Sequence, residues 1–341
     1  MKNILVTGGA GFIGSHTVVE LVNAGYEPVI VDNLSNSLPS AVRGIEKIID
    51  KKVKFFKMDF ENIPALKKII KTEKIDGVIH FAAFKAVGES TEQPLKYYRN
   101  NVSGLIELLS LLSNENIPLV FSSSCTVYGE PDKLPVDENT PTKPAESPYG
   151  ATKQMDEMML SDVVKASKNF RAISLRYFNP VGAHPSGLIG ELPLGKPSNL
   201  FPVVTQALAG TGGQLTVFGN DYDTPDGSCI RDYIHVVDLA KAHIKALELL
   251  SKQKDRYYDV FNVGNGKGNS VLEVISTFEK TTGLKVPHKI GARRPGDVVA
   301  IYANCSKANN ELNWKTEKTL EDACRDAWKW QKNITYPQES S

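Results

Sequence analysis

Residues 2 to 14 constrain the fold more than any other stretch. Lys2 to Thr7 carries a short apolar run of the kind that makes a buried parallel strand. It leads without a spacer into Gly8-Gly9-Ala10-Gly11-Phe12-Ile13-Gly14 and then a helical pattern from His16 to Asn23. Missing side chains let the backbone turn tightly, bring its N–H groups against a pyrophosphate, and seat the helix close to the strand. A second apolar run, Pro28 to Val31, ends in Asp32, placed where a dinucleotide fold presents an acid to the ribose. A carboxylate there accepts both ribose hydroxyls and repels a 2′-phosphate, so the expected cofactor is NAD and not NADP. Alone, such a glycine pattern is only a flexible turn. Between strand and helix, with the acid at the right distance, it predicts a Rossmann-type cradle.

Further strands and helices alternate along the first half, which predicts an α/β class with a doubly wound parallel sheet. Val53 to Asp59, Gly77 to Phe81, Pro118 to Ser123 and Arg171 to Tyr177 read as strands. Ile63 to Lys71, Pro94 to Ser113 and Pro148 to Ala166 read as helices. Ligands sit beyond the carboxyl ends of such strands, and the polar clusters fall there: Asp59, Phe81 to Lys85, Ser122 to Ser124, and Asn179. After Phe178 the chain turns rich in proline and glycine as far as Asn199, the composition of a long functional loop. We therefore expect a cofactor domain over residues 1–179 and a smaller α/β substrate domain over 180–341, with some later segments free to return to the first. The second half reads as helices at 201–209 and 236–250, strands near 215–218, 229–234 and 260–263, and C-terminal helices.

The strongest chemical signal is Tyr149-Gly150-Ala151-Thr152-Lys153 following Ser122-Ser123-Ser124. A phenol is a poor base near neutral pH, with a pKa of about 10, and a nearby ammonium favours its ionised form. Four residues apart on a helix, Tyr149 and Lys153 share a face. An isolated pair of this spacing is more often an ordinary exposed helix. Here it accompanies a dinucleotide turn and a serine-rich strand end, and the three together describe a nicotinamide redox site.

Composition limits the partners. A net charge of +1 with no basic block argues against nucleic acid. The first strand starts close to Met1 with no charged leader, and no run of about 18 apolar residues occurs, so the expectation is a cytoplasmic protein with no membrane span. Cys125, Cys229, Cys305 and Cys324 are scattered and lack metal-ligand spacing, so we expect reduced thiols and no metal. Trp314, Trp328 and Trp330 near the C-terminus read as packing residues.

Long strings now carry a family resemblance across nearly the whole chain. They include Thr7 to His16, Val31 to Ser37, His80-Phe-Ala-Ala, Lys85 to Ser90, Phe121 to Gly129, Ser147 to Gly150, Leu175 to Gly187, Gly219 to Tyr222 and Arg231 to Ala240. In these the sequence resembles the UDP-glucose 4-epimerases, a family of extended short-chain dehydrogenases/reductases. The resemblance implies tightly held NAD, UDP-glucose and UDP-galactose as substrates, and a homodimer joined through a four-helix bundle. It makes Ser124, Tyr149 and Lys153 the catalytic set. Gly8, Gly11, Phe12, Ile13, Gly14, Asp32, Asn33, Asp59, Phe60, Phe81, Ala82, Ala83, Lys85, Asn100 and Tyr177 become cofactor contacts beside the catalytic three. Lys85, Ser124, Thr126, Tyr149, Asn179, Asn199, Leu200, Phe218, Arg231, Arg294, Asp297 and Ile301 become substrate contacts.

The chemistry implied is inversion at C4 of a hexose through a 4-keto sugar, with Tyr149 as base, Lys153 supporting the phenolate and Ser124 relaying the proton. Two positions depart from the family pattern. Ala83 and Phe84 stand after His80-Phe-Ala where small residues are common in the family, and Ile301 matches neither the bulky Tyr nor the small Cys found where sugar size is set. Weaker turnover of UDP-N-acetylhexosamines is expected from Ile301. A nucleotide-sugar 4,6-dehydratase of the same superfamily needs an acid pair after its threonine, whereas Thr126-Val127-Tyr128 stands here. A regulator that merely binds NAD has no use for all three of Ser124, Tyr149 and Lys153.

Overall fold

The structure, a computed structural model, describes residues 2–294 and 297–334. Its centre is a seven-stranded sheet, and every pairing in it is parallel. The chain lays down β1 (Asn3–Thr7), α1 (Phe12–Asn23), β2 (Glu27–Asp32), α2 (Pro39–Ile49), β3 (Lys54–Lys57), α3 (Ile63–Thr72) and β4 (Gly77–His80). There follow α4 (Val87–Glu92), α5 (Pro94–Tyr97), α6 (Gly104–Asn114), β5 (Leu119–Ser124), α7 (Pro148–Ala166) and β6 (Arg171–Tyr177). The second half adds β7 (Asn179–Val181), α8 (Leu200–Ala209), β8 (Leu215–Phe218), β9 (Ile230–His235), α9 (Val236–Lys252) and β10 (Tyr257–Val263). It ends in β11 (Gly268–Ser270), α10 (Val271–Thr282), β12 (His288–Gly291), β13 (Ala300–Ile301), α11 (Ser306–Glu311) and α12 (Leu320–Asn333).

Strand order in the large sheet is β10-β6-β5-β4-β1-β2-β3. The chain thus winds one way from β1 to β3 and the other way from β4 outward, which opens a crevice beyond β1 and β4. The doubly wound expectation holds. The sheet is covered on both faces, one core gathering Ile4, Val6, Ile30, Ile79 and Ile173, the other Leu5, Val29, Val31, Val78 and Leu119. Alternate residues of the same strands feed opposite faces, as the period of two requires. β10, far along the sequence, returns to pair with β6, and α9 packs against α1 beneath the glycine turn.

The smaller sheets stand apart. β9 pairs with β7, β11 and β13, and β8 pairs with β12, around a separate core that includes Val181, Phe201, Val217, Tyr233 and Phe278. Pro180 to Asn199 carries little regular structure, as its composition predicts. The single helix expected over 94–113 is interrupted, because the chain opens into a wide π-type turn at Tyr98–Ser103 between α5 and α6. Asn101 accounts for it: its side chain accepts from the Phe84 N–H at 3.0 Å and donates to the Phe84 carbonyl at 3.0 Å and Thr152 Oγ1 at 3.2 Å. A widened turn sets that side chain inward, at a place where such turns gather at functional sites.

Candidate active site

Ser147 accepts from the Gly150 N–H at 3.2 Å and Pro148 fixes the first turn, so α7 begins just before Tyr149. Lys153 follows one turn later on the same face. Ser124 is the last residue of β5, extended at φ −148 and ψ 150, next to β6 in the crevice. The three predicted catalytic residues therefore meet where strand ends and helix start converge.

The electrostatics differ from the simple expectation. Burial pushes the Tyr149 phenol up to about 12; the Ser124 hydroxyl opposes that rise while Cys125 and Asp156 add to it. Lys153, buried, donates to the Ser122 carbonyl at 2.9 Å and lies 4.5 Å over the Phe121 ring. Its own pKa is lowered by burial, with Asp156 and Glu157 working against that. Tyr149 is thus a phenol in this state.

The cofactor cradle is tight where it needs to be. Gly8 takes φ +70, and a Cβ there would meet the Ala82 nitrogen at 2.8 Å. A Cβ on Gly14 would stand 2.2 Å from the Gly8 carbonyl oxygen, whereas one on Gly11 would meet that oxygen at 3.2 Å and otherwise open space. Phe12 and Ile13 open α1, so the free N–H groups of its first turn face the gap that Gly11 leaves. Asp32 accepts from the Ala10 N–H at 3.0 Å, the Leu34 N–H at 2.8 Å and Ser37 Oγ at 3.0 Å, which ties the acid to the turn. Asn33 donates to Asp59 at 3.1 Å, and Phe60 is buried with its ring 4.9 Å from that of His80. Phe81 donates its N–H to the Thr7 carbonyl at 3.0 Å, which sets the Ala82 nitrogen against Gly8, and Ala83 follows in the chain. Asn100 donates to Asn101 at 2.9 Å. Tyr177 shares a 2.7 Å hydrogen bond with His243, whose ring sits 4.7 Å from Phe81. Phe84 packs on Tyr97 under the Lys96 ammonium, which is what the departure from smaller residues achieves locally.

Across the crevice the substrate candidates form two groups. Arg231 reaches Asp297 at 3.4 Å, Arg294 makes a two-point contact with the same carboxylate at 3.1 and 2.8 Å, and the Arg294 guanidinium lies 5.5 Å over Phe218. Lys85 and Asn199 meet on Glu191, at 3.2 and 2.6 Å. Asn179 is half-buried in β7, and Leu200 opens α8. Thr126 Oγ1 is buried without a hydrogen-bond partner. Ile301 lies opposite Arg231 in register and packs with Val127, Tyr128, Phe178 and Ala303. Arg293 pairs with Asp221 on the surface, the ordinary role expected of it.

Four residues escaped the sequence reading. Glu191 sits in the proline- and glycine-rich loop, where composition marks a functional segment but no single residue. His243 lies on an apolar helix face, where a satisfied core histidine is the commoner case. Asp232 accepts three backbone N–H groups, from Asn265 at 2.6 Å and from Gly266 and Ala303 at 3.0 Å, and so fixes the strand carrying Arg231. Asp156 stands beside Lys153. Among the described residues no group of three or more His, Cys, Asp or Glu side chains could hold a metal ion. The four cysteines are unpaired, and burial pushes the Cys125 and Cys305 thiols up to about 12, so they pack and do not react. No described helix is long and apolar enough to cross a membrane.

A glycine cradle feeding α1, an acid at the end of β2 and a Ser-Tyr-Lys set at the ends of β5 and the start of α7 define a short-chain dehydrogenase/reductase of the extended type. The family model for GDP-mannose 4,6 dehydratase matches residues 5–327. The UDP-glucose 4-epimerase of Dictyostelium discoideum is 52% identical over 96% of this chain and 95% of its own, and that of Homo sapiens is 50% identical over 97% of each. The UDP-glucose 4-epimerase of Stenotrophomonas maltophila, crystallised with NAD and formylated UDP-arabinopyranose, superposes with a TM-score of 0.94 at 48% identity, covering 97% of this chain and 98% of its own. That of Bifidobacterium longum, with NAD+ and UDP, gives 0.93 at 47% identity over 97% and 99%. The chain belongs to the UDP-glucose 4-epimerase family.

Proposed function

We propose that this chain interconverts UDP-galactose and UDP-glucose through a 4-keto sugar, with NAD held throughout the cycle. The observation that carries the reading is Ser124, Tyr149 and Lys153 gathered between a dinucleotide cradle and a pair of arginines on a second lobe. The gap over Gly11, the α1 N-terminus and the Asp32 carboxylate suit a pyrophosphate and ribose; Asn33, Asp59 and Phe60 would line the adenine end. Phe81, Ala82, Ala83, Lys85, Asn100 and Tyr177 would line the nicotinamide end. When bound, NAD supplies a reversible hydride acceptor whose positive ring also favours a phenolate beside it.

The chain's own residues do the rest. Tyr149 takes the O4 proton and later returns it, Lys153 supports the phenolate with its ammonium, and Ser124 holds O4 in line. A positioned proton-transfer group is worth roughly 10²- to 10⁴-fold in rate. Arg231 and Arg294, now shared with Asp297, turn to the diphosphate, whose oxygens their planar guanidinium forks match. Phe218 offers the uracil a face, while Asn179, Asn199, Leu200 and Thr126 position the rest. A firm hold on UDP leaves the hexose free to rotate between its two oxidation faces.

Residues 1–179 would serve the cofactor and 180–341 the substrate, with α9 and β10 lent back to the cofactor side. A homodimer is part of the reading. Leu95, Ile106, Met155 and Met158 are exposed, and a groove of about 330 Å³ between α6 and α7 is lined by Ile106, Leu109, Met159 and Val163, an apolar face suited to its own copy. Unpaired cysteines agree with a cytoplasmic setting. The acid pair of a 4,6-dehydratase is absent from Thr126-Val127-Tyr128, so dehydration is not the favoured outcome. Purified protein mixed with UDP-galactose and no added nicotinamide should form UDP-glucose, followed by NMR. Stoichiometric consumption of added NAD, or a dehydrated product, would refute the cycle.

A further inference from the structure

Asp156 follows Lys153 by three residues on α7, with 3.9 Å between Oδ2 and Nζ, and the two side chains are sealed at 1% and 3% exposure. Neither oxygen of Asp156 has a hydrogen-bond partner. Buried carboxylates are ordinarily satisfied several times over, and an unsatisfied one is costly. Tyr149 as base leaves Asp156 no task, yet among the described residues it is the acid with both oxygens buried and unpartnered, and it stands 3.9 Å from the catalytic ammonium.

We propose that Asp156 is a positioning residue for the proton transfer: standing behind Lys153, its carboxyl group sets how much of the ammonium's field reaches Tyr149. Ionised, it draws Lys153 towards itself and opposes a phenolate at Tyr149. Protonated, it leaves the ammonium free to support that phenolate. This rests on the proposed role of Tyr149 as base.

The neighbouring charges leave Asp156 as the variable element. Glu157 is bound at two points by Arg176 of β6, at 2.9 and 2.7 Å. His80 of β4 is neutral, since burial and the Lys153 ammonium bring it down to about 3. Burial keeps Tyr177 and Tyr258 protonated. Asp156 itself is pushed upward by burial, with Lys153 acting against this and Glu157 with it. Asp156 is therefore the acid beside Lys153 whose charge no hydrogen bond fixes.

The test compares wild type with Asp156→Asn and Asp156→Glu, each paired with its own Tyr149→Phe version, as the NAD-bound protein. The difference in near-ultraviolet phenolate absorbance within each pair reads the ionisation of Tyr149 and needs no sugar substrate. Tyr149 and Asp156 are seven residues apart, about 10 Å along the helix axis. At that range and an effective dielectric of about 20, one charge moves the other's titration by about one pH unit. Asp156→Asn should therefore move phenolate formation, and the acid limb of kcat/KM for UDP-galactose, about one unit to lower pH. Asp156→Glu should restore the wild-type position. Should the Asn variant fold poorly, Asp156→Val removes the same charge without asking for hydrogen bonds. A phenolate titration unmoved in the neutral variants, or moved equally in Asp156→Glu, overturns the proposal. If the limb shifts are absent because UDP-galactose is no substrate, the absorbance titration still decides.

Discussion

Two glycines of the first turn should fail for different reasons, and the difference tests where the cofactor lies. A methyl on Gly14 would stand 2.2 Å from the Gly8 carbonyl oxygen and 2.8 Å from the Gly9 Cα. Both are backbone atoms, and Gly8 is itself pinned by its φ of +70 and a 2.9 Å hydrogen bond to the Val31 carbonyl. No rotamer relieves that overlap, so Gly14→Ala must displace the turn, at a cost of about 1–3 kcal/mol or more in the cofactor-free protein. Gly11 stands otherwise. Its φ of −72 and ψ of 176 suit alanine, and its Cβ would meet only the Gly8 oxygen, at 3.2 Å, which a few tenths of an ångström relieve. Gly11→Ala should therefore leave the stripped protein within about 1 kcal/mol of wild type. In the proposed complex, however, that methyl occupies the approach of the pyrophosphate to the α1 N-terminus, and NAD affinity should fall by about 10- to 100-fold. Thermal unfolding of the stripped proteins, followed by calorimetric titration with NAD, separates the two. If Gly11→Ala binds NAD within about twofold of wild type, the gap over Gly11 is not the pyrophosphate site and the cradle argument fails.

The remaining expectations concern chemistry, sugar size and the buried scaffold. Tyr149→Phe keeps the ring and loses the proton acceptor, so turnover should drop by roughly 10²- to 10⁴-fold while UDP binding persists, measured by steady-state kinetics and titration; Ser124→Ala should fall less if water can relay the proton. Ile301→Tyr should suppress UDP-N-acetylglucosamine selectively and Ile301→Gly favour it, by the about 1–3 kcal/mol that crowding in a packed pocket costs; an unchanged kcat/KM ratio between the two sugars would remove Ile301 from the hexose wall. Glu157→Gln should lose about 3–5 kcal/mol in denaturant unfolding, because Arg176 then remains buried with a neutral partner.

Much of this was legible in the sequence because its causes are local. The glycine turn, the acid after β2 and the Tyr-Lys spacing each depend on a few neighbouring residues, and all appear where the strand-end argument puts them. The break at Tyr98–Ser103 was not legible, since Asn101 draws the chain out of a straight helix to reach Phe84 and Thr152, residues distant in sequence. The short strands β7, β11, β12 and β13 are likewise defined by partners elsewhere and carry no periodicity long enough to read. The state of Lys153 needed coordinates too: spacing puts it on the face of Tyr149, but the Ser122 carbonyl and Asp156 decide where its ammonium points.

The two halves of the site are held with unequal stiffness, and that inequality suits the proposed cycle. On the cofactor side, Asp32 binds the turn, Arg176 and Glu157 lock β6 to α7, and Asn101 joins the crevice wall to Thr152, all within or against the parallel sheet. On the substrate side, Asp232 gathers three backbone N–H groups to fix β9, yet the groups that would meet the nucleotide stand more open. Phe218 is 43% exposed, and Arg294 rests on it with half of its side chain in solvent, tied for the moment to Asp297. In the proposed complex, the Asp297 carboxylate that now occupies two guanidinium groups would stand in for the diphosphate, whose oxygens suit the same forks. In that cycle a redox centre held by the sheet, facing a clamp that exchanges Asp297 for the diphosphate, would let binding energy accumulate on the UDP end. The reacting hexose is then left with few fixed contacts, which is the condition for presenting either face of C4 to one unmoving tyrosine.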